Sequence, residues 1–302
     1  MEQNNFPPDL AYFISLQQQS NGESLQDHNP KKWDHRAAMW QKERINNRKG
    51  DARVVNAVAF LEERGLLQNH YDIVDIGCGP GRFAAAFAKR VHQVVGLDIS
   101  EKMVEHGREY LHQEGIANAV LQTCDFAMLD VEKEGYKGAF DLVFSSMTPA
   151  IHNMDSLMKS MEMSRGWCCH ITHVSGRNFL REQMVKELFG RKPLHQWTGK
   201  WFYSLFNILF LLGYDPETSY EKRHQEIWIT PDEEYVEFVM EHMLPSKEIT
   251  KENAGKILNW LLDHQNEEGK VLEISDSSYG RILWDVRNRT ERSGYGTGNE
   301  GF

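Results

Sequence analysis

The chain is poor in cysteine, has no long apolar run and carries no excess of positive charge. Its four cysteines (Cys78, Cys124, Cys168, Cys169) fall in predicted strands or turns. They do not form the loop-rich framework of a secreted disulfide scaffold, so reduced thiols and a cytoplasmic location are expected. Cys168 and Cys169, adjacent in one predicted strand, project to opposite faces, and so do His170 and His173. Neither pair makes joint ligands, and no metal site is expected. The longest apolar stretch, Trp201 to Tyr214, is too short to span a bilayer and is interrupted by Ser204 and Asn207. No basic segment leads into an apolar leader at the N-terminus. With 34 Lys+Arg against 44 Asp+Glu the formal charge is −10, which argues against a nucleic-acid partner. No membrane partner is expected either, and no internal repeat is apparent.

What the chain does have is organised around Tyr71-Asp-Ile-Val-Asp75-Ile-Gly77-Cys78-Gly79-Pro-Gly81, followed by the Ala-rich run Arg82 to Arg90. An apolar β-rich run, a glycine turn and a helical run make the front half of a β-α-β unit. Glycines at alternate positions let the backbone turn sharply and leave no Cβ in a ligand's way. A related turn holds the pyrophosphate of dinucleotides. Here the spacing is G-x-G-x-G, not G-x-G-x-x-G, and Asp75 stands at the end of the strand. That carboxylate would repel a pyrophosphate and attract a cationic amino acid. Asp98 closes the second strand, Gln93 to Asp98, beside the first, where a carboxylate can accept hydrogen bonds from two ribose hydroxyls.

At these residues the chain resembles the class I S-adenosylmethionine (SAM)-dependent methyltransferases, whose first motif is [D/E]-x-G-x-G-x-G. The resemblance covers about residues 50 to 175 well and the remainder in outline. It implies SAM as cofactor and S-adenosylhomocysteine (SAH) as product. Asp75, Gly77, Cys78, Gly79, Gly81 and Ser145 would surround the cofactor, and Asp98 would hold the ribose. Asp125 and Phe126, at the end of the third strand, would meet the adenine, with Ile99 and Met103 on its other face. Trp33, Arg36 and Trp40 occupy the place where relatives fold a helix over the cofactor, and Arg36 could pair with the methionine carboxylate.

Strands alternate with helices from residue 71 to 174: β at 93–98, 119–124, 140–147 and 167–174, helices at about 100–113 and 154–163. This predicts an α/β, doubly wound, mostly parallel sheet, and the resemblance implies seven strands. Residues 1–30 read as a flexible arm containing a short helix at Leu10–Leu16, and 291–302 as a disordered tail. One methyltransferase domain is expected over 31–290, with its core at 50–175. Helical cap segments are expected at about 179–220 and 231–266, and late strands at 226–230 and 280–286.

The acceptor end is less specific. After the fourth strand the chain reads Ser145-Ser146-Met147-Thr148-Pro149, without the Pro-Pro-aromatic signature of amino-methylating nucleic-acid enzymes or the Pro-Cys of cytosine-5 enzymes. A small-molecule acceptor with apolar surface is therefore expected. His152, where many small-molecule relatives place a His, is the candidate proton acceptor. The apolar helix Trp201–Gly213 is either core or a wall over the acceptor pocket. A SAM-binding sensor or scaffold and a protein-modifying enzyme stay as alternatives.

Overall fold

The computed structural model describes residues 8–20, 33–34, 52–191 and 199–291. In chain order the elements are α1 (Pro8–Ser20), α2 (Ala52–Glu62), β1 (Asp72–Ile76), α3 (Arg82–Ala88), β2 (Gln93–Asp98), α4 (Glu101–Gln113), β3 (Ala119–Thr123), β4 (Phe140–Ser146), α5 (Met154–Glu162), β5 (Ser164–Asn178), α6 (Phe179–Phe189), α7 (Lys200–Leu211), β6 (Glu217–Ile229), α8 (Glu233–Met243), α9 (Lys251–Asp263) and β7 (Val271–Asp285). The strands form one seven-stranded sheet in the order β3-β2-β1-β4-β5-β7-β6. The pairs β3-β2, β2-β1, β1-β4 and β4-β5 are parallel, so the expected α/β sheet is present.

β1 sits in the middle because nearly every side chain in it can be buried. Ile73, Val74 and Ile76 are fully inaccessible, the signature of a parallel strand covered on both faces. The chain moves from β1 outward to β2 and β3, then returns to β4 on the other side of β1. The strand order therefore reverses beside β1, and a crevice opens beyond the C-terminal ends of β1, β2 and β4. Helix α4 follows directly, capped by Ser100, whose Oγ accepts from the Met103 N–H at 3.1 Å.

The chain divides into two compact units where one domain was expected. One contains residues up to Thr172, Lys200–Ser219 and the segment from Arg281; the other contains His173–Gly199 and Tyr220–Gly280. The cap boundaries expected at 179–220 and 231–266 do not coincide with this division. β5, β6 and β7 each contribute residues to both units, and no change of composition marks those crossing points.

In the first unit, the short helix expected at Leu10–Leu16 is longer, spanning Pro8–Ser20. α1 packs on α7, burying Leu10, Ile14, Leu16 and Gln17, with the Phe13 and Tyr203 rings edge to face at 5.5 Å. α7 is apolar nearly all round, so two of its sides need cover, and α1 supplies one. The rest of the expected arm and the 292–302 tail lie outside the described residues.

The second unit has a core of its own, in which Met184, Val185, Val239, Ile257, Leu261 and Val271 come from α6, α8, α9 and β7. Arg181 forms a half-buried ion pair with Glu273 at 2.9 Å, beside Tyr235. β6 and β7 begin nine residues earlier than their apolar ends suggested (Glu217 for 226, Val271 for 280). The N-terminal half of β6 is charged, and that of β7 mixes Val271, Leu272 and Ile274 with acids and serines, so neither shows the alternation that marks a half-buried strand. No described helix is long and apolar enough to cross a membrane.

Candidate functional site

The turn after β1 is held by its backbone. The N–H groups of Gly77 and Cys78 both donate to the Leu97 carbonyl, at 2.7 and 3.0 Å, tying the turn to the end of β2. Gly77 has φ 72°, and a Cβ there would lie 2.0 Å from Oγ1 of Thr148. Glycine thus lets the loop after β4 cross directly over the turn. Gly79 and Gly81 also have positive φ, and Gly81 starts α3.

Two carboxylates flank this turn. The Gly79 N–H donates to Oδ2 of Asp98 at 2.7 Å, and the Ser100 N–H donates to Oδ1 at 2.9 Å. Ser100 Oγ in turn donates to Asp34 at 2.6 Å. Burial pushes the Asp98 pKa up, opposed by these two backbone donors and supported by the Asp34 charge. Asp75 is 1% exposed, and among the described residues no donor reaches its Oδ2. Burial, and then the charge of Asp98, push its pKa up to about 8. A buried acceptor oxygen without a donor is costly unless a ligand supplies one.

The cleft above the turn has a volume of about 250 Å³. Of the residues expected at the cofactor, Gly77, Cys78, Gly79, Asp98, Ile99, Met103, Asp125 and Phe126 line it together. Asp75 and Gly81 are not among the lining residues, and Arg36 falls outside the described residues, as does Trp40; Trp33 does line the cleft. Lys159 on α5 fixes the Phe126 segment by donating to the carbonyls of Phe126 and Ala127, at 3.0 and 2.7 Å.

Ser145 corrects an expectation. It is 2% exposed, does not line the cleft, and is bonded to His170 Nδ1 at 2.7 Å. The indole N–H of Trp201 donates to His170 Nε2 at 2.8 Å. That ring is buried, with its pKa lowered to about 4 by desolvation. A neutral imidazole accepting at Nε2 must carry its proton on Nδ1, so His170 donates to Ser145 Oγ. Ser146 next in the chain lines the cleft instead, because successive strand residues face opposite ways. Helix α7, read either as core or as a pocket wall, contributes no residue to this cleft. Its Trp201, Leu205, Ile208 and Leu209 are core.

Sequence reasoning missed Arg53, Arg82, Phe83 and Cys124 as lining residues, whereas Met147 and Thr148, which also line the cleft, lie in the stretch it read as the acceptor end. Met147 is the one non-glycine residue with positive φ (54°) among the described residues, a strained conformation that recurs at functional sites. Nothing in the sequence marks it. His152 lies just past this loop. Its Nδ1 is 3.1 Å from the Pro149 carbonyl and its Nε2 is 3.0 Å from the Asn153 amide nitrogen. A carbonyl only accepts, so Nδ1 carries the proton, and Nε2 accepts from the Asn153 amide; His152 is not among the residues lining the cleft.

Residues 73–164 match the family model described as a methyltransferase domain. An uncharacterized methyltransferase of Schizosaccharomyces pombe, C977.03, is 30% identical over 137 residues, 45% of this chain and 86% of that protein. The 2-heptyl-1-hydroxyquinolin-4(1H)-one methyltransferase of Mycobacteroides abscessus is 30% identical over 86 residues, 28% of this chain and 35% of that protein. A 23S rRNA (uracil(1939)-C(5))-methyltransferase of Alkalilimnicola ehrlichii is 29% identical over 109 residues, 33% of this chain and 24% of that protein. The match thus spans only a quarter to a third of the length of the last two.

Proposed function

This chain belongs to the class I SAM-dependent methyltransferases, and we propose that it methylates a small molecule with apolar surface, using the cleft over Gly77–Gly81. The observation that carries the reading is the orphaned Oδ2 of buried Asp75 under a glycine turn that also holds Asp98. These residues fit SAM. A cationic amino-acid end answers Asp75, and a ribose finds lone pairs on Asp98. A purine finds Asp125 at its edge and Ile99, Met103 and Phe126 at its faces.

SAM supplies, when bound, a methyl group already activated on a sulfonium. The chain's own residues then have three tasks. Asp75, Asp98 and Asp125 orient the cofactor, and Cys78 and Gly79 let it approach the backbone. Ser146 to Ala150, with strained Met147, bring the acceptor up to it and exclude water. His152, which borders the lining residues at Ala150 without being one of them, takes a proton on Nε2 where the acceptor must lose one, giving up the Asn153 amide N–H that this nitrogen accepts.

The apolar lining of the cleft and the net charge of −10 support a small acceptor over RNA. The test is incubation with methyl-labelled SAM and fractionated cell extract. Label in a low-mass fraction supports the proposal. Label in RNA or protein, or none in any fraction, overturns it, the last in favour of a SAM-binding sensor.

A further inference from the structure

The outermost strand of the sheet is β6. From Tyr220 to Trp228 it belongs to the second unit. An outer strand presents a row of backbone N–H and C=O groups, and proteins commonly blunt such edges with proline, short length, bulges or charged side chains; of these β6 has the charges but neither proline nor short length. β6 runs for 13 residues without proline or glycine and exposes Tyr220 (57%), Ile227 (41%) and Trp228 (54%). Its side chains divide into two sets. Glu221 and Arg223 are half-buried and bonded to each other at 2.5 Å, and Arg223 also lies over the Tyr279 ring at 4.8 Å. Tyr220, Lys222, His224, Glu226 and Trp228 on the other face are all exposed, and beyond His224 so are Gln225 and Ile227 on the first.

We propose that this edge pairs with the same edge of a second copy, antiparallel, with a two-fold axis through His224. An axis normal to the sheet keeps every residue on its own face, so only registers centred on a residue are allowed. Centring on His224 sets Lys222 opposite Glu226 and Tyr220 opposite Trp228, and symmetry repeats both pairs. Opposite charges and aromatic pairs directly across a strand pair are its stabilising contacts. The neighbouring registers do not give both. Centring on Arg223 sets Tyr220 against Glu226 and Lys222 against His224. Centring on Gln225 sets Lys222 against Trp228 and pairs Tyr220 with Thr230. In the favoured register the two His224 rings meet at the axis, each keeping Asp276 at 2.7 Å as counter-ion. The occupant is a second copy because the exposed sequence is complementary to its own reverse.

The experiment is light scattering of the full chain after size exclusion, at tens of micromolar, for wild type, Lys222→Glu, Glu226→Lys and the double swap. The wild type is expected at twice the chain mass and each single variant at about half the wild-type value. The double swap should return to the wild-type value, with SAH affinity unchanged throughout. A wild type of single-chain mass, a dimer indifferent to both single changes, or a double swap that stays dissociated would each overturn the proposal. The unchanged SAH affinity separates these outcomes from any failure of the cofactor site, and an unchanged circular dichroism spectrum separates them from misfolding of the second unit.

Discussion

The backbone N–H of Gly79 donates to Oδ2 of Asp98 at 2.7 Å, so the acid at the end of β2 holds the glycine turn as well as facing the cleft. Its two oxygens each take one backbone donor, from Gly79 and Ser100, and each keeps a lone pair for a ligand. Replacing Asp98 with Ala removes a charged acceptor and loosens the turn together. SAH affinity should fall by about 1–3 kcal/mol. Calorimetry with SAH measures this directly, and undiminished affinity would remove Asp98 from the site.

The chain Ser145–His170–Trp201 gives the first unit an acid sensitivity. His170 is held neutral, its pKa lowered to about 4 from an ordinary 6.5. Between those values the unfolded chain binds a proton that the folded chain does not. The stability His170 contributes is therefore complete above pH about 6.5 and is lost as pH falls toward 4, by roughly 3 kcal/mol. His170→Phe should flatten this limb of the stability curve, read by urea unfolding at several pH values. It should also destabilise at pH 7, because the Trp201 N–H loses its acceptor. A limb unchanged in the variant would mean that another group sets it.

The cofactor half of the site was legible in sequence because backbone geometry dictates it. Gly77 cannot carry a side chain beneath Thr148, and Asp75 and Asp98 close two adjacent strands. The loop after β4 was legible only as a place, since the left-handed conformation of Met147 leaves no trace in composition. Ser145 was misjudged because its partner, His170, lies on the next strand and the ring is oriented by Trp201, 31 residues further on. The docking of α1 was hidden for a similar reason. An apolar patch of a few residues reads as an arm until the helix it covers is known.

His152 offers a separable test of proton transfer. His152→Ala should lower kcat on any acceptor that loses a proton, by about 10²–10⁴-fold, and leave SAH affinity intact. His152→Asn also lacks the base but keeps a side-chain donor for the Pro149 carbonyl, so it should be equally slow. If Asn is active and Ala is not, the ring only anchors the loop. Full activity in both would mean that proximity alone suffices.

Asp75 should trade stability for ligand affinity, and the sign follows from its burial. Its folded pKa of about 8 lies above the ordinary 3.8, so between these values the folded chain holds a proton that the unfolded chain has lost. Ligand-free stability must then fall as pH rises from about 4 to about 8, and level off beyond. This runs opposite to the His170 contribution below pH 6.5, so the two partly cancel there and the Asp75 slope stands alone from 6.5 to 8. Asp75→Asn keeps the shape and removes the charge. The variant should be more stable than wild type at pH 9 without ligand, with the gap closing toward pH 5. A ligand whose ammonium group meets Asp75 reverses the ranking, because only the ionised carboxylate attracts it. SAH should raise the wild-type unfolding free energy at pH 9 much more than that of Asp75→Asn, and calorimetry should show weaker binding to the variant. Equal SAH binding by both proteins would show that Asp75 serves the turn and never meets the cofactor. A wild type no less stable than the variant at pH 9 would show that the carboxylate already has a donor within the chain.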